Sequence, residues 1–491
     1  MLFVLIVSLY TSRVVLNTLG VVDYGIYNVV SGFVVLFSFL NATLSSTMQR
    51  FYNYEGTKNG ITGFQSVYIT GLIIHIALAI LAICLLETVG LWYVNNVMKL
   101  PTTRLFSANV IYQMSAFSLV LFLLQIPYVG AIMAKEHMNF YALVSIVEVI
   151  LKLILVIILP YIPYDKLISY GAILLVINIV NFLLYYIYCR FEFAEMRFKF
   201  SLDRKTLRQL MTFSGWNLLG TFAFMLKDQG VNLLLNYFTG PVVNAARGVA
   251  YQVSSAVGGF SQNISIAFRP QVVNSFADMD NHRVKTLIFT ESRVCFMMVA
   301  ALIAPLIVEM QFVLNLWLGE GVPPLTHIFT ILVLVDTLIC TLNTPITQLV
   351  MATGKIKVYQ IASTLVNIML LPICFIFLRL GYDAISVFVV AIFVSIINQA
   401  VCLIAANRVF RLDFSKYIKS VIIPSLVYAL ILMIANYLTH LLLEESFMRL
   451  VIVVLIDIVI AILLAYWLGL DYTQKSSLKN IISKLKTYKD A

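Results

Sequence analysis

Long, continuous apolar runs separated by short polar breaks make up the chain; Leu143 to Leu159 and Val451 to Leu464 show the pattern most clearly. A bilayer core of about 30 Å takes roughly 20 helical residues to cross. Inside it a peptide group finds no water, so a crossing segment must close its hydrogen bonds on itself as a helix. A membrane barrel would instead alternate apolar and polar residues over about ten positions. The pattern predicts an all-α integral membrane protein with about fourteen transmembrane helices. The spans fall near 1–19, 24–50, 66–89, 106–132, 140–160, 167–189, 213–237, 243–270, 293–316, 326–351, 358–379, 384–406, 420–440 and 448–469. Met1 leads straight into Leu2 to Val7, with no basic leader and no cleavage site, so the expectation is a first helix that starts upstream.

The polar breaks carry the orientation. Every second loop, beginning with the one after span 2, holds basic residues: Lys58, Lys135, Arg190, Arg197, Lys199, Arg204, Lys205, Arg208, Arg283, Lys285, Lys355, Lys357, Arg408, Arg411, Lys416 and Lys419. The tail adds Lys475, Lys479, Lys484, Lys486 and Lys489, whereas the opposite loops hold little beyond Lys99, Arg104, Lys166, Arg379 and Arg449. The positive-inside rule then predicts both termini in the cytoplasm. Trp92, Trp216, Trp317 and Trp467 fall at span ends, where an aromatic belt places them.

The longest break, 190–208, divides the chain, and a weak internal repeat supports the division. Asn17 in span 1 corresponds to Asn236 in span 7, and Arg50 closing span 2 to Arg269 closing span 8; Arg50 follows Asn17 by 33 residues and Arg269 follows Asn236 by the same 33. The expected organisation is a six-helix lobe at 1–190, a linker at 191–212, a second six-helix lobe at 213–407, two further helices at 408–470 and a basic tail at 471–491. Such repeats are frequent in transporters.

Composition agrees: 61% of the 491 residues are hydrophobic, 11% are charged and the mean hydropathy is +0.95, against about 25% charged in soluble domains. The net charge of +10 is explained by the loops and does not imply a nucleic-acid partner. Six scattered cysteines and five scattered histidines form no CxxC, HExxH or P-loop, so no metal, cofactor or catalytic group is expected.

Two spans are anomalous. Span 2 carries Asn41, Thr43, Ser45, Ser46, Thr47 and Gln49 before Arg50; span 8 carries Asn244, Arg247, Gln252, Ser254, Ser255, Ser261, Gln262, Asn263 and Ser265 before Arg269. Helices this polar face protein or a water-filled cavity; small-residue packing between helices is the simpler alternative. Charges inside spans cost about 2.5–3.5 kcal/mol on insertion scales. That makes Arg13, Lys227, Asp228 and Arg247 candidates for a cavity lining, while Arg50 and Arg269 also fit as interfacial anchors. Glu148 and Lys152, four apart on one helix face, read as an internal ion pair. Among the isolated acids Glu309, Asp336 and Asp457, Asp336 is the best candidate for ion coupling, together with Asp228.

Leu9 to Gly20 (LYTSRVVLNTLG) followed by Asp23 to Val30 (DYGIYNVV) resembles the start of Wzx-type polysaccharide flippases of the multidrug/oligosaccharidyl-lipid/polysaccharide exporter superfamily. The resemblance implies two pseudo-symmetric lobes around a central cavity with alternating access. It implies a lipid-diphosphate-linked oligosaccharide moved from the inner to the outer leaflet of the bacterial cytoplasmic membrane, for surface polysaccharide such as lipopolysaccharide O-antigen. Membrane lipids and a polysaccharide polymerase machinery are the other implied partners. Arginine suits a diphosphate because its planar fork binds two phosphate oxygens at once. The substrate residues carried over are Arg13, Arg50, Arg247 and Arg269, with Lys227 added and Asn41, Gln49, Gln262 and Asn263 for sugar hydroxyls. A drug or metabolite antiporter of the same superfamily and a membrane polysaccharide polymerase or ligase are the alternatives.

Overall fold

The computed structural model describes residues 2–37, 39–196, 207, 210, 225–353 and 357–469. Arg197, Lys199, Arg204, Lys205, Arg208, Trp216, Lys355, the tail lysines and the start of span 7 lie outside the described residues, as does the side chain of Asn41. Among the described residues every regular element is helical. In chain order these are α1 (Leu2–Val35), α2 (Phe39–Leu85), α3 (Leu105–Ala134), α4 (Met138–Ile158), α5 (Lys166–Glu192), α6 (225–239), α7 (Pro241–Ala277), α8 (Asn281–Val308), α9 (Met310–Leu318), α10 (Thr326–Ala352), α11 (Lys357–Arg379), α12 (Ile385–Phe410), α13 (Ile423–Leu442) and α14 (Phe447–Leu464). A π-turn at Leu86–Gly90 continues α2 into Leu91–Asn96, and others at Ile418–Ile422 and Ala465–Gly469 precede α13 and follow α14.

Eleven segments among the described residues are long and apolar enough to cross a membrane. They correspond to the expected spans 1, 3 to 6 and 9 to 14. Span 8 is absent from that set because its polar side chains dilute the apolar run; span 2 is divided, its first part falling in Ile6–Gly32 and its end in Thr47–Asn96, and span 7 is only partly described. The break expected after span 1 falls at Gly20 (φ 75°, ψ 169°), a backbone conformation open to glycine. The loop expected between spans 2 and 3 is instead helical except at Gly60 (φ 60°, ψ −142°). Its polar residues stay helical because Tyr52 stacks on Phe64 at 4.3 Å and its hydroxyl donates to the Pro127 carbonyl at 3.2 Å.

The chain forms two compact units: Met1–Gly248 with Glu320–Pro324 and Leu371–Ala384, and Val249–Gly319 with Leu325–Leu370 and Ile385–Ala491. In the first, α3 is the central helix and packs on α1, α2 and α5. In the second, α8 is central, packing on α10, α13 and α14, around Ile288, Phe289, Phe296, Leu349, Tyr428 and Leu432. Peripheral helices invert the pattern of a soluble protein. On α4 only Val144 and Val156 are buried, and Leu143, Ile146, Ile150, Ile154 and Ile157 point outward, as a lipid-facing surface requires.

The DYG segment of α1 has a packing role. A Cβ added at Gly25 would collide with the backbone carbonyl of Pro241, which cannot move aside as a side chain could. Gly25 therefore lets α1 approach the start of α7 at backbone contact, the use small residues have in membrane interfaces. Gly25→Ala is expected to destabilise the folded protein by about 1–3 kcal/mol, the range for overpacking, read as a lower melting midpoint in detergent.

Candidate functional site

In the first unit α6 presents Asp228, Asn232 and Asn236 at four-residue spacing, so they form one polar stripe along the helix. Each is engaged. Asn244 Nδ2, from the first turn of α7, donates to the Asn232 carbonyl at 2.7 Å and to its Oδ1 at 2.8 Å. Asn232 Nδ2 donates to the Asn28 carbonyl of α1 at 3.0 Å. Asn236 Oδ1 accepts from the Lys99 backbone N–H at 3.2 Å, while Lys99 Nζ caps the end of α6 at the Phe238 carbonyl, 2.8 Å away. Arg247, 5% exposed, lies one turn after Asn244 and donates to the Asp228 carbonyl at 2.9 Å and to its carboxylate.

The two intramembrane charges Asp228 and Arg247 are thus partners. The adjacent Lys227 points elsewhere: it is half-buried and its charge reaches Cys374 on α11. The other expected cations are exposed, Arg13 on α1 and Arg50 on α2 in the first unit and Arg269 on α7 in the second.

In the second unit, α7 splits into two faces. Ser254 bonds Thr337 of α10 at 2.7 Å, and Ser265 accepts at its carbonyl from Gln348 of α10 at 3.3 Å. Ser254, Gly258, Ser261 and Ser265, spaced by four, three and four, follow a single helical stripe, and Ser254 and Ser265 on it bind the neighbouring helix through small polar groups. Gln262, Asn263 and Arg269 are exposed. Asn263 Nδ2 donates to the Gly259 carbonyl of its own helix at 2.9 Å. On α2, Ser45 and Thr47 are buried, Gln49 donates to the Met133 carbonyl at 3.4 Å, and Arg50 is exposed. Asp336 is half-buried on α10.

The acids the sequence left isolated have partners. Glu309, fully buried, is held by Arg449 at 2.7 Å and His440 at 2.8 Å, which tie α8 to α14 and α13. Asp457 accepts from Asn436 at 2.6 Å. Glu148 is exposed and Lys152 half-buried, so this pair lies at the edge of the first unit and not in its interior. His75 bonds the Gly71 carbonyl of its own helix at 2.6 Å rather than a neighbour. All six cysteines are free, and no group of potential metal ligands occurs among the described residues.

Two sets of residues were missed from sequence. Arg104 is clamped between Asp23 of the DYG segment and Asp165, with Nε 2.8 Å from Asp23 Oδ1 and Nη1 2.7 Å from Asp165 Oδ2. Asp165 also accepts from the Leu167 and Ile168 N–H groups, as an N-cap of α5 should; an aspartate just before an apolar run was the available signal. The second is a pocket of about 310 Å³ lined by Asn53, Thr57, Phe64, Lys135 and Glu195 among others. Lys135 pairs with Glu195 at 2.9 Å and lies 4.9 Å from the Phe64 ring centroid. Its hydrogen bond holds the Glu195 carboxyl below the usual range.

Residues 1–274 match the model of a family described as polysaccharide biosynthesis protein, more than half of the 491 residues. The chain belongs to this family. Its fold is similar to that of the lipid II flippase MurJ in an inward closed conformation, with a TM-score of 0.74 over 94% of this chain and 96% of that one at 14% identity. An inward-facing multidrug resistance MATE family transporter of the MOP superfamily gives 0.56 over 96% of each chain at 14% identity. The eukaryotic MATE transporter AtDTX14 gives 0.56 over 84% of this chain and 96% of that one, also at 14% identity. No curated protein matches. The family member is therefore a multi-pass membrane protein with the all-helical fold of MOP-superfamily transporters.

Two measurements test the polar contacts. Asp228→Asn removes the charge partner of a buried Arg247 and is expected to cost about 2 kcal/mol, below the 3–5 kcal/mol of a fully buried pair because the Asp228 side chain is 26% exposed. The Asp228→Asn, Arg247→Gln double variant should recover part of that loss in a detergent melting assay. At Asp165, burial is the largest single influence and pushes the carboxyl up. The Ile168 N–H, Arg104 and Ser107 together outweigh it and hold the group below the usual range. Such a group contributes stability above the unfolded value of about 4 and loses it as pH falls through the lower folded value. Asp165→Asn, which keeps a capping side chain, should lower stability by about 1 kcal/mol at neutral pH, and the difference from the parent should vanish in melting curves taken below about pH 3.

Proposed function

We propose that the protein is a flippase that moves a lipid-diphosphate-linked oligosaccharide from the inner to the outer leaflet of the bacterial cytoplasmic membrane by alternating access, for surface polysaccharide synthesis. The observation that carries the reading is the exposure of arginine at the corresponding positions 50 and 269 of two polar stretches, Arg50 on α2 and Arg269 on α7, with Arg13 exposed on α1. An anionic headgroup needs cations it can reach, and these side chains are exposed. Membership of the polysaccharide biosynthesis family supports a sugar-bearing cargo. So does the likeness in fold to a flippase whose name specifies lipid II.

In this reading Arg13 and Arg50 of the first unit and Arg269 of the second each offer bidentate contacts to a diphosphate, and Lys227 contributes charge from α6. Arg247 acts indirectly: paired with Asp228, it holds α6 against α7 so that the chain around Lys227 keeps its place. Gln262 and Asn263, exposed beside Arg269, offer hydrogen bonds to sugar hydroxyls, with Gln49 and Asn41 on α2. Asp336 and Asp228, the latter in contact with Arg247, are the carboxylates assigned to ion coupling. The basic loops orient both termini to the cytoplasm.

The test is complementation of a strain lacking the protein, scored by surface polysaccharide with membrane levels measured in parallel. Arg13→Ala, Arg50→Ala, Lys227→Ala and Arg269→Ala should each be inserted normally and lower export by roughly tenfold or more, as loss of a charge-assisted hydrogen bond worth about 1.5–3 kcal/mol implies. Arg→Lys should restore only part. Full export in all four variants would overturn the cationic-site reading.

A further inference from the structure

Glu291 was hidden from sequence reading because the span there was expected to start at 293, which left it in a loop. The structure runs α8 from Asn281 and buries Glu291 completely, with 0% exposure. It is unlike the other buried acids. Glu309 has Arg449 and His440, and Asp457 has Asn436. Neither carboxylate oxygen of Glu291 accepts a hydrogen bond of normal geometry among the described residues.

Its surroundings are polar, and Arg293, two residues along α8, is buried on the same helix. Cys295, one turn on along α8, lies 3.8 Å from the Ser265 hydroxyl and 3.8 Å from the Ser261 carbonyl of α7, so Glu291, one turn back, faces the turn of α7 that runs from Ser265 to Arg269. Tyr417, buried before the π-turn at Ile418–Ile422, is a further titratable group near it. Ser292 and Gln399 line the approach to the Tyr417 hydroxyl. Lys416 and Lys419 of that segment are exposed. Other charged groups on elements packed against α8 are committed elsewhere or distant in sequence register. Arg449 and His440 hold Glu309, which is 18 residues or about 27 Å along α8; Asp457 is bonded to Asn436; Asp336 lies 12 residues, about 18 Å, from Gln348 along α10. An ionised carboxylate at Glu291 would carry a buried charge with no ion partner in contact, a costly state that a proton removes.

We propose that Glu291 is a proton-binding site whose occupancy is set by the charge of Arg269. With Arg269 uncovered, its field favours the carboxylate. When an anion neutralises Arg269, that support is lost and Glu291 takes a proton from water, forming a carboxylic O–H. By linkage the reverse also holds: a proton on Glu291 favours an anion at Arg269. The link to cargo rests on the proposed role of Arg269 as a diphosphate ligand, whereas the proton site itself does not.

Infrared titration of the purified full-length protein tests both parts without a transport assay. A protonated-carboxyl stretch should appear as pH falls, and Glu291→Gln, which mimics the neutral acid in shape, should lack that component while melting like the parent. Arg269→Ala should move the component to higher pH and Arg269→Lys should largely keep its position. Inorganic pyrophosphate should move it to higher pH in the parent and have no effect in Arg269→Ala. A component that does not titrate, that survives in Glu291→Gln, that is unmoved in Arg269→Ala, or that sodium rather than proton concentration controls would overturn the proposal. A shift in Arg269→Ala without any pyrophosphate effect would uphold the proton site and its control by Arg269, and count against Arg269 as a diphosphate ligand.

Discussion

A peptide group or a charge that leaves water for lipid must bring its own partner, and the architecture of this protein follows from that requirement. Backbone groups satisfy it within each helix, so the described segments are helical. Side chains satisfy it between helices, and they do so at few, well-defined places: Asp228 with Arg247, the Asn28–Asn232–Asn244 chain, Glu309 with Arg449 and His440, and Asp457 with Asn436. Apolar contact between helices offers less selectivity in a bilayer, because lipid tails are as apolar as leucine. The polar contacts therefore specify which helix lies beside which.

The same requirement separates structural from functional polarity. On α7 the serine and glycine stripe at 254, 258, 261 and 265 is consumed by neighbouring helices, while Gln262, Asn263 and Arg269 turn outward. The packing reading of a polar span holds on one face of this helix, and the other face is exposed. Arg247 belongs to the framework through its contact with Asp228, whereas Arg13, Arg50 and Arg269 are exposed.

The most recognisable stretch of the sequence turns out to be structural in the same sense. Asp23 holds Arg104, Gly25 admits the Pro241 carbonyl, and Asn28 accepts from Asn232. Three positions of one motif thus join α1 to three different parts of the first unit. Such a motif reports the fold and, through it, the family.

Apolar run length and charge placement were enough, from sequence alone, to determine an all-α membrane protein, most of its spans and the anomaly of spans 2 and 8, because the bilayer thickness and the cost of charge act on local sequence. The boundaries were weaker where a helix outruns the membrane: α2 continues through an expected loop, and the early start of α8 hid Glu291. Partnership was not legible at all. Asp228 and Arg247 are 19 residues apart, Asp23 and Arg104 are 81, and Glu309 and Arg449 are 140. Nothing local distinguishes an acid that will be paired from one that will not. Only the packing of helices decides which charges neutralise each other, which remain exposed, and which carboxyl is left buried with a hydroxyl for company.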